Sequence, residues 1–515
     1  MTLIQWFIFF LIVQVIHFLG TWKLYEAAGR KKWEAAIPVY NAVILMKIIN
    51  RSPWWTILLF VPVINLIMFP VVWVETLRSF GKNSTLDTVL GIFTFGFYIY
   101  YLNYTQKLVY IENRSLQAPN KTADTIGSLL YAIVVATLVH TYVMQPYTIP
   151  TASLEKSLLV GDFLFVSKFH YGARTPMTPI AAPMVHDTLP LINIKSYSKF
   201  PQLPYFRFFA MQEVNRTDIV VFNWPADTLY NMYKTADKRY DKPIDKKTNY
   251  VKRCVGIPGD SLSIKDGIVY VNGKILPMPE RSKPQYSYTV ITDGSGFDNK
   301  YLIKDLNITD GWQNINNNPN YYIFYAMTDE AANRLRLNPI VKSVVRNVSH
   351  QPETKIFPYN TKWNLDNLGP IYIPKKGATV ALNAQTLPFY KKIIGEYEKN
   401  ELKVNGNEIR INGEIATTYT FKQNYYWMMG DNRHNSLDAR YFGYTPEDHI
   451  VGKPVFIWMS LDPNGKGFNK IRWDRMFTTV SGDGQPQSYF KYFLFALIGY
   501  FGISYFVRKR KEKKN

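Results

Sequence analysis

The 515-residue chain contains a single cysteine, Cys254, and only seven histidines. One cysteine excludes an intramolecular disulfide and argues against a zinc site built from cysteines. Acidic residues are also few, 39 against 60 Lys and Arg, which gives a net charge of +21. No zinc-ligand spacing and no RNA-binding aromatic signature accompany this charge, so a nucleic-acid partner is not expected. Basic cytoplasmic loops and anionic lipid explain the excess more simply.

The N-terminus lacks the basic stretch that opens a cleavable signal peptide, since no Lys or Arg precedes Lys23. Its apolar run is therefore predicted to be a retained transmembrane helix. Residues 37–49 are apolar but short and contain a lysine, so we predict an interfacial or re-entrant segment there. Further runs match the ~20 residues that a helix needs to cross a bilayer. They are residues 55–77, which Pro62 and Pro70 interrupt, and residues 86–104, 125–145 and 489–507.

Positive charge predicts the orientation of these segments. Basic residues follow the first segment, precede 125–145 and make up the C-terminal tail RKRKEKKN. All three groups face the cytoplasm only if the N-terminus and residues 147–488 lie on the extracytoplasmic side of the membrane. The sequence thus predicts a multi-span protein with a large extracytoplasmic region.

The region 147–488 contains alternating strand patterns joined by Asn-Gly pairs, which accept positive φ in hairpin turns. These pairs are at 272–273, 405–406 and 412–413. The predicted fold combines α-helical transmembrane segments with a mainly β extracytoplasmic domain that has a large insertion. The predicted domains are a multi-span region at 1–124, an anchor at 125–146, the β domain at 147–488 with an insert or cap at about 280–400, a C-terminal transmembrane helix at 489–507 and a basic cytoplasmic tail at 508–515.

Ser153 lies among turn residues in IPTASLEKSLLVGD, as an exposed nucleophile would, but a serine hydroxyl needs a nearby base. Lys156 gives the S-x-x-K spacing of penicillin-binding proteins, although Pro150 and the following apolar run disfavour the helix which that motif requires. Lys252 lies on a predicted strand among apolar neighbours, where burial would lower its pKa towards that of a base. A solvated surface lysine is the alternative at both positions. Among the histidines, only His434 belongs to a dense polar cluster.

Four segments follow the 125–145 run in order: IPTASLEKSLLVGDFLFVSKFHYG, RTDIVVFNWP, NYVKRCVGIPGD and MMGDNRHNSLDARYFGYTP. They resemble the successive motifs of bacterial type I signal peptidases, serine endopeptidases that remove signal peptides with a Ser–Lys dyad. The resemblance covers about 145–275 and 424–460. It implies a bacterial cytoplasmic-membrane protein that cuts exported preproteins after small residues in an A-x-A pattern. The implied partners are signal peptides, the lipid bilayer and the protein export machinery, and no cofactor or metal is implied.

Carried over by position, the resemblance implies that Ser153 is the nucleophile and Lys252 its general base. Thr151 and the Ser153 amide would bind the oxyanion, and Ser436 would orient the lysine. The remaining implied site residues are the polar Arg253, Asp431, Asp438 and Arg440, with Arg253 paired to Asp431, and the substrate-binding Ile149, Pro150 and Val251.

Two departures from the family pattern keep alternatives open. His434 stands where an Asp is usual, and eukaryotic relatives use a histidine base, but theirs replaces the lysine that is intact here. Lys156 stands where the family has proline, which leaves a penicillin-binding-like enzyme using Ser153 and Lys156 as a second hypothesis. A catalytically inactive membrane β-domain is the third.

Overall fold

The computed structural model describes residues 2–118, 120–231, 238–359 and 361–512. The chain divides into two compact units. The first comprises residues 1–143, 173–208 and 228–247, and the second comprises residues 144–172, 209–227 and 248–515. All four motif segments therefore lie in the second unit.

The first unit is helical around one apolar core, to which Leu24, Ile44, Ile64 and Leu102 contribute. Its helices are α1 Leu3–Ala27, α2 Tyr40–Ile48, α3 Trp55–Phe60, α4 Asn65–Ser79, α5 Thr85–Phe93, α6 Tyr98–Thr105 and α7 Lys121–Leu138, which a π-helical turn at Val139–Val143 continues.

Among the described residues, three helical stretches are long and apolar enough to cross a membrane. They are Leu3–Ala27, Lys121–Val143 and Phe490–Arg510, which match the first, fourth and last predicted segments. Helices α5 and α6, over the predicted 86–104 segment, form a pair bent by 115°, which is the geometry of a broken span or a re-entrant loop.

The predicted segment 55–77 does not form one helix. Helix α3 ends at Phe60 and α4 begins at Asn65. Pro62 lies between them, and Val63 has a φ of 70°. Proline lacks an N–H and disfavours helical geometry in the residue before it, so the helix ends there. Pro70, by contrast, lies inside α4.

The second unit is mainly β, which confirms the predicted class of this region. Its helices are α8 Asp329–Arg336, α9 Leu387–Lys392, α10 Ala439–Phe442 and α11 Phe490–Glu512. Its strands are β1 Met144–Thr148, β2 Asp162–Ser167, β3 Ile219–Asn223, β4 Asn249–Gly256, β5 Ser261–Lys265, β6 Ile268–Val271, β7 Lys274–Ile275, β8 Gln285–Thr292, β9 Trp312–Asn314, β10 Tyr321–Thr328, β11 Val341–Arg346, β12 Leu368–Tyr372, β13 Thr379–Ala381, β14 Leu402–Asn405, β15 Glu408–Ile411, β16 Glu414–Ile415, β17 Thr418–Thr420, β18 Tyr425–Met429, β19 Thr445–Pro446, β20 Ile450–Ser460 and β21 Thr478–Thr479.

An eight-stranded sheet carries the motif segments, in the order β1-β2-β20-β3-β4-β18-β19 with β21 beside β20. Both faces of its centre are covered. Val220 and Phe222 of β3 enter one hydrophobic cluster, and Ile219 and Val221 enter another. Successive side chains of a strand point to opposite faces. A strand covered on both sides is therefore continuously apolar, which explains the run DIVVF.

Strand β4 has different neighbours along its two edges. Strand β3 pairs with it from Asn249 to Arg253, with Lys252 opposite Val220. Strand β18 pairs only with the C-terminal half, from Arg253 to Gly256. Residues 249–252 thus extend past the β18 pairing.

The Asn-Gly turns match the prediction at two of three positions. Asn272-Gly273 and Asn412-Gly413 are the central turn residues, with φ of 52° and 79° in the first and 54° and 90° in the second. At 405–406 the prediction is wrong by one residue. Asn405 pairs with Glu408, so Gly406 and Asn407 form the turn.

Within the predicted insert, residues 285–346 form a separate sheet in the order β11-β8-β10-β9. Its own apolar core includes Tyr288, Val290 and Phe324. By Ile356 and Phe357 the chain is back in the hydrophobic cluster that holds Val220 and Phe222 of β3, and strand β12 then pairs with β5.

Candidate active site

Ser153 follows directly on the edge strand β1. Ile149 continues the pairing with β2: its N–H donates to the Asp162 carbonyl, and its carbonyl accepts from the Gly161 N–H, each at 2.9 Å. A 3₁₀ turn at Ala152–Leu154 then carries Ser153. The sequence suggests an exposed bend, but Ser153 is only 8% exposed, because the adjacent Leu154 is anchored in the core.

Lys252 reaches Ser153 from the middle of β4. Its Nζ donates a hydrogen bond to Ser153 Oγ at 2.7 Å and another to the Val251 carbonyl at 3.1 Å. The residue is 4% exposed, and the Tyr250 ring lies 5.2 Å from Nζ. The structure thus brings the two residues into direct contact across 99 positions of sequence.

Burial is the largest influence on the pKa of Lys252 and lowers it to about 8. The carboxylates of Asp438 and Asp431 act in the opposite direction, but their effect is smaller. An amine with this pKa is neutral in about a tenth of molecules at pH 7. A neutral amine in hydrogen-bond contact with a serine hydroxyl is able to accept its proton during nucleophilic attack.

The Lys156 side chain contacts the separate sheet and core formed by residues 285–346, which we call the 285–346 lobe. Its Nζ donates to Thr309 Oγ1 at 2.6 Å and to Asn307 Oδ1 at 3.2 Å. Its φ is 70°, outside the helical region. The helix required by an S-x-x-K motif is therefore not formed, and the Lys156 amine is held by the lobe.

His434 also contacts the insert. Its Nδ1 accepts a hydrogen bond from the Ser287 N–H at 3.1 Å, and its Nε2 lies 3.1 Å from Asp366 Oδ1. These contacts fit a neutral ring that has its proton on Nε2. Both ring nitrogens are occupied, which leaves neither available to Ser153.

Arg253 and Asp431 form the buried ion pair that the resemblance implies. Arg253 Nε and Nη2 donate to the two carboxylate oxygens at 2.8 and 2.6 Å. Ser157 Oγ donates to the same carboxylate at 2.6 Å. Burial is the largest influence and raises the pKa of Asp431, but Arg253, Ser157 and Arg433 together hold the pKa below its usual value. The pair links β4, the turn after β18 and the segment that follows Ser153.

Asp438 and Arg440 form a second buried pair. Arg440 Nε and Nη2 donate to the Asp438 carboxylate at 2.9 and 2.8 Å, and the Gly430 N–H donates to it at 3.0 Å. Burial raises the pKa of Asp438, but Arg440 reverses the direction and the net effect is a lowering. Both pairs therefore remain charged inside the domain.

Ser436 lies beside the backbone of Ser153, in space that Gly430 leaves open. A Cβ added to Gly430 would lie 2.2 Å from Ser436 Oγ and 2.6 Å from the Ser153 carbonyl oxygen. Among the described residues, the hydrogen bonds of Lys252 Nζ go to Ser153 and Val251 and none goes to Ser436 Oγ. The contact with Lys252 that the resemblance implies is thus not formed in this structure.

The other implied residues lie close in sequence to Ser153 and Lys252. Thr151 is exposed and immediately precedes the 3₁₀ turn. Pro150 is exposed. Ile149 is buried in an apolar cluster against which Val251 packs, so the structure brings these two together.

Two residues to which the sequence analysis assigns no role also hold the Ser153 turn. The Asn432 N–H donates to the Ser153 carbonyl at 3.1 Å, and its side chain donates to the Ala152 carbonyl at 3.3 Å and to Asp310. Gln285 Nε2 donates to the Glu155 carbonyl at 2.9 Å. Asn432 is part of the quoted GDNR motif, which was a usable signal, whereas nothing in the sequence singles out Gln285.

Comparison with known proteins identifies two family matches. The family described as signal peptidase, peptidase S26, matches residues 122–324 and 370–459, and a family of unknown function, DUF5684, matches residues 33–113. A signal peptidase I of Buchnera aphidicola subsp. Schizaphis graminum is 26% identical over 345 residues, 66% of this chain and 75% of the relative. One of Buchnera aphidicola subsp. Baizongia pistaciae is 25% identical, with coverage of 69% and 83%. One of Rickettsia massiliae is 30% identical, with coverage of 31% and 47%.

The mainly β domain, the apolar helices and these matches define a membrane-anchored serine endopeptidase. The S26 match covers more than half of the chain. The chain therefore belongs to the peptidase S26 family, as a type I signal peptidase, and its activity is the removal of signal peptides.

Proposed function

We propose that this chain removes signal peptides by acyl-enzyme catalysis with Ser153 and Lys252, and that it cuts after small residues in an A-x-A pattern. One observation carries the proposal: Lys252 Nζ and Ser153 Oγ lie 2.7 Å apart in a place where both residues are buried. The competing bases Lys156 and His434 are bound elsewhere, which supports the same assignment.

In the acylation step, neutral Lys252 accepts the Ser153 proton while Oγ attacks the scissile carbonyl. The hydrogen bond to the Val251 carbonyl holds the amine in place during this transfer. The Ser153 N–H and the Thr151 hydroxyl are proposed to donate to the oxyanion that forms. The Lys252 ammonium then protonates the departing amine of the mature protein.

In deacylation, water replaces the Ser153 hydroxyl as the nucleophile. Having given up its proton to the leaving group, Lys252 is again neutral and takes a proton from water as the water attacks the Ser153 ester. The tetrahedral intermediate collapses, Oγ recovers a proton from the lysine, and the signal peptide leaves with a free carboxylate. One buried amine carries the protons exchanged by Oγ, the leaving amine and the attacking water, and the carboxylic acid product releases its remaining proton to solvent. No cofactor or metal is required.

The substrate is proposed to bind as an extended strand beside residues 249–252, which continue past the β18 pairing. Side chains at alternate substrate positions would then face the cluster that contains Ile149 and Val251. Because these side chains are already packed against the core, only small substrate side chains fit against them. This is the physical basis that we propose for A-x-A specificity.

Two contacts within the first unit support the orientation predicted from charge. Trp6 Nε1, near the start of α1, donates to the Gln202 carbonyl at 3.0 Å. The Tyr142 ring, at the end of the α7 stretch, lies 5.9 Å from the Phe208 ring. The segment 202–208 thus contacts both the start of α1 and the end of the α7 stretch. We propose a multi-pass protein of the bacterial inner membrane with its N-terminus and residues 147–488 outside and its C-terminal tail in the cytoplasm, the bilayer and export machinery being its partners.

The substrate specificity is tested by cleavage of a preprotein with Ala at −1 and −3, using the full chain in detergent. Leu at −1 should lower kcat/KM by about 100-fold, because the added volume must displace packed side chains. Leu at −2 is the matched control and should change kcat/KM little, since its side chain points away from the cluster. Equal tolerance at −1 and −2 would contradict the proposed binding mode.

The pH dependence of cleavage should follow the ionisation of Lys252. Below its pKa of about 8 the amine is an ammonium without a free lone pair, so activity falls as pH falls. We expect kcat/KM to decrease about 50-fold from pH 8 to pH 6, with a slope of one proton. Thermal unfolding over the same range serves as the control for stability. A flat profile from pH 6 to 8 would argue against a lysine base.

A further inference from the structure

Arg433 is a buried cation with two guanidinium nitrogens that have no acceptor within the described part of the chain. The residue is 3% exposed, and neither Nε nor Nη1 has a hydrogen-bond partner among the described residues. Buried charges in proteins are normally paired, because removing an ion from water without compensation is costly. A buried guanidinium with two unused N–H groups therefore indicates a place for a further acceptor.

The two nearby buried carboxylates are already engaged. Asp431 is paired with Arg253 and Asp438 with Arg440, so among the described residues neither aspartate forms a salt bridge with Arg433. The backbone of Arg433 is firmly held, since its N–H donates to the Gln285 carbonyl at 3.0 Å and its carbonyl accepts from Arg440 Nη2 at 2.5 Å. The position of Arg433 is thus fixed, while its Nε and Nη1 have no acceptor among the described residues.

Arg433 lines a pocket of about 330 Å³. Ser282, on the same lining, is 7% exposed, and its Oγ also has no hydrogen-bond partner in the described part of the chain. The remaining lining is mostly apolar and includes Ile268, Ile275 and Leu276. Two unpartnered hydrogen-bond donors thus share a small cavity with hydrocarbon side chains.

Acidic residues of α8 also line this pocket, but they contact other groups. Asp329 accepts a hydrogen bond from the Tyr288 hydroxyl. Glu330 lies 3.8 Å from Lys283 Nζ. Among the described residues, neither carboxylate forms an ion pair with Arg433, so Nε and Nη1 remain without an acceptor.

We propose that this pocket binds a carboxylate carried on a small apolar group, with Arg433 and Ser282 as its donors. A guanidinium presents its N–H groups as a planar fork that matches a carboxylate, and the apolar lining suits a short hydrocarbon body. Two sources share this chemistry: an acidic side chain of the preprotein, and a free small carboxylic acid.

The pocket adjoins the chain that carries the nucleophile. Lys283, on the pocket lining, donates its N–H to Ser157 Oγ at 3.4 Å. Asn432, the neighbour of Arg433, donates its N–H to the Ser153 carbonyl. A carboxylate bound to Arg433 would therefore stabilise the segment that donates a hydrogen bond to the Ser153 turn.

Thermal unfolding of the full chain in detergent tests binding without relying on catalysis. The probe is sodium isobutyrate, compared with sodium chloride at equal ionic strength and with isobutyramide, its neutral isostere. Isobutyrate should raise the Tm by about 2 °C at concentrations well above its Kd, and isobutyramide should not. Arg433→Met should lose this shift, whereas Arg334→Met, at an exposed arginine of α8, should keep it.

Ser282→Ala provides a second test of carboxylate binding, in a variant that keeps the Arg433 guanidinium. Loss of one hydrogen bond should weaken the apparent isobutyrate affinity about fivefold. The proposal is overturned if Arg433→Met shows the same shift as the wild type, or if isobutyrate and isobutyramide act alike on the wild type. It is also overturned if Arg433→Met does not fold and Ser282→Ala leaves the affinity unchanged.

The source of the carboxylate is identified by cleavage kinetics, an experiment that rests on the signal-peptidase activity. Preproteins with Glu or Gln at successive positions after the scissile bond are compared. A lower KM for Glu at one position, present in the wild type and absent in Arg433→Met, assigns the pocket to the substrate. Equal KM values together with the isobutyrate shift assign it to a free acid. Failure of the proposed catalytic scheme would leave the thermal shift intact, so the two are distinguishable.

Discussion

Replacing Lys252 with methionine is expected to lower kcat/KM for preprotein cleavage by about 10⁴-fold. Methionine has a similar length and suits an apolar site, so the 4% exposed position should remain packed. What it lacks is a lone pair basic enough to accept the Ser153 proton across the 2.7 Å contact. The loss should therefore appear in kcat, while the Tm stays close to that of the wild type.

Three further variants distinguish Lys252 from the other candidate bases. Lys252→Arg should be as inactive as Lys252→Met, because arginine stays protonated at any accessible pH. Lys156→Met and His434→Gln should retain most of the activity, since those side chains contact Thr309 and Ser287. Activity that survives in Lys252→Met but disappears in Lys156→Met would instead support the penicillin-binding-like alternative.

Ser153→Ala should abolish cleavage, with a loss of about 10⁶-fold in kcat, because no acyl-enzyme is able to form without Oγ. The substitution removes one atom from a turn that the Asn432 N–H continues to hold, so the fold should be kept. Ser295→Ala, on an exposed part of the 285–346 lobe, is the matched control and should be fully active. Both are measured by single-turnover cleavage of the same preprotein.

The outcome for Ser153→Ala also decides the non-enzymatic alternative. If the purified variant cuts the preprotein as fast as the wild type, Ser153 forms no acyl-enzyme. The observed cleavage would then come from a contaminating protease, and the β domain would be a scaffold. Mass spectrometry adds a direct criterion. Wild type trapped with a slowly hydrolysed substrate should be modified on the peptide that contains Ser153, and the variant should not.

The membrane segments show where sequence patterns suffice and where they do not. Residues 3–27 and 121–143 were predictable, because a long apolar run that lacks proline satisfies its own backbone hydrogen bonds as one helix. The run 55–77 has the same composition but contains Pro62, and the chain breaks there into α3 and α4. Composition reports apolarity, whereas the continuity of a helix depends on each residue's backbone geometry.

Four ordered motifs in the sequence determined the family, the mainly β class and the candidate pair Ser153 and Lys252. These features are local, since the type and spacing of residues in each motif are written along the chain. The distance between Ser153 and Lys252 is not local. It depends on the antiparallel pairing that places β4 beside β3 and on the anchoring of the Ser153 turn after β1.

Only the tertiary structure separated Lys252 from Lys156 and His434, and only it showed that Arg433 forms no salt bridge with a carboxylate of the described residues. Lys156 and His434 are held by residues that lie more than a hundred positions away, in a lobe whose strands had no recognisable motif. The partner of a charged side chain is decided by which distant segments fold against it. Hydrogen bonds and ion pairs are short-ranged in space but unrestricted in sequence separation, so residue types alone do not specify them.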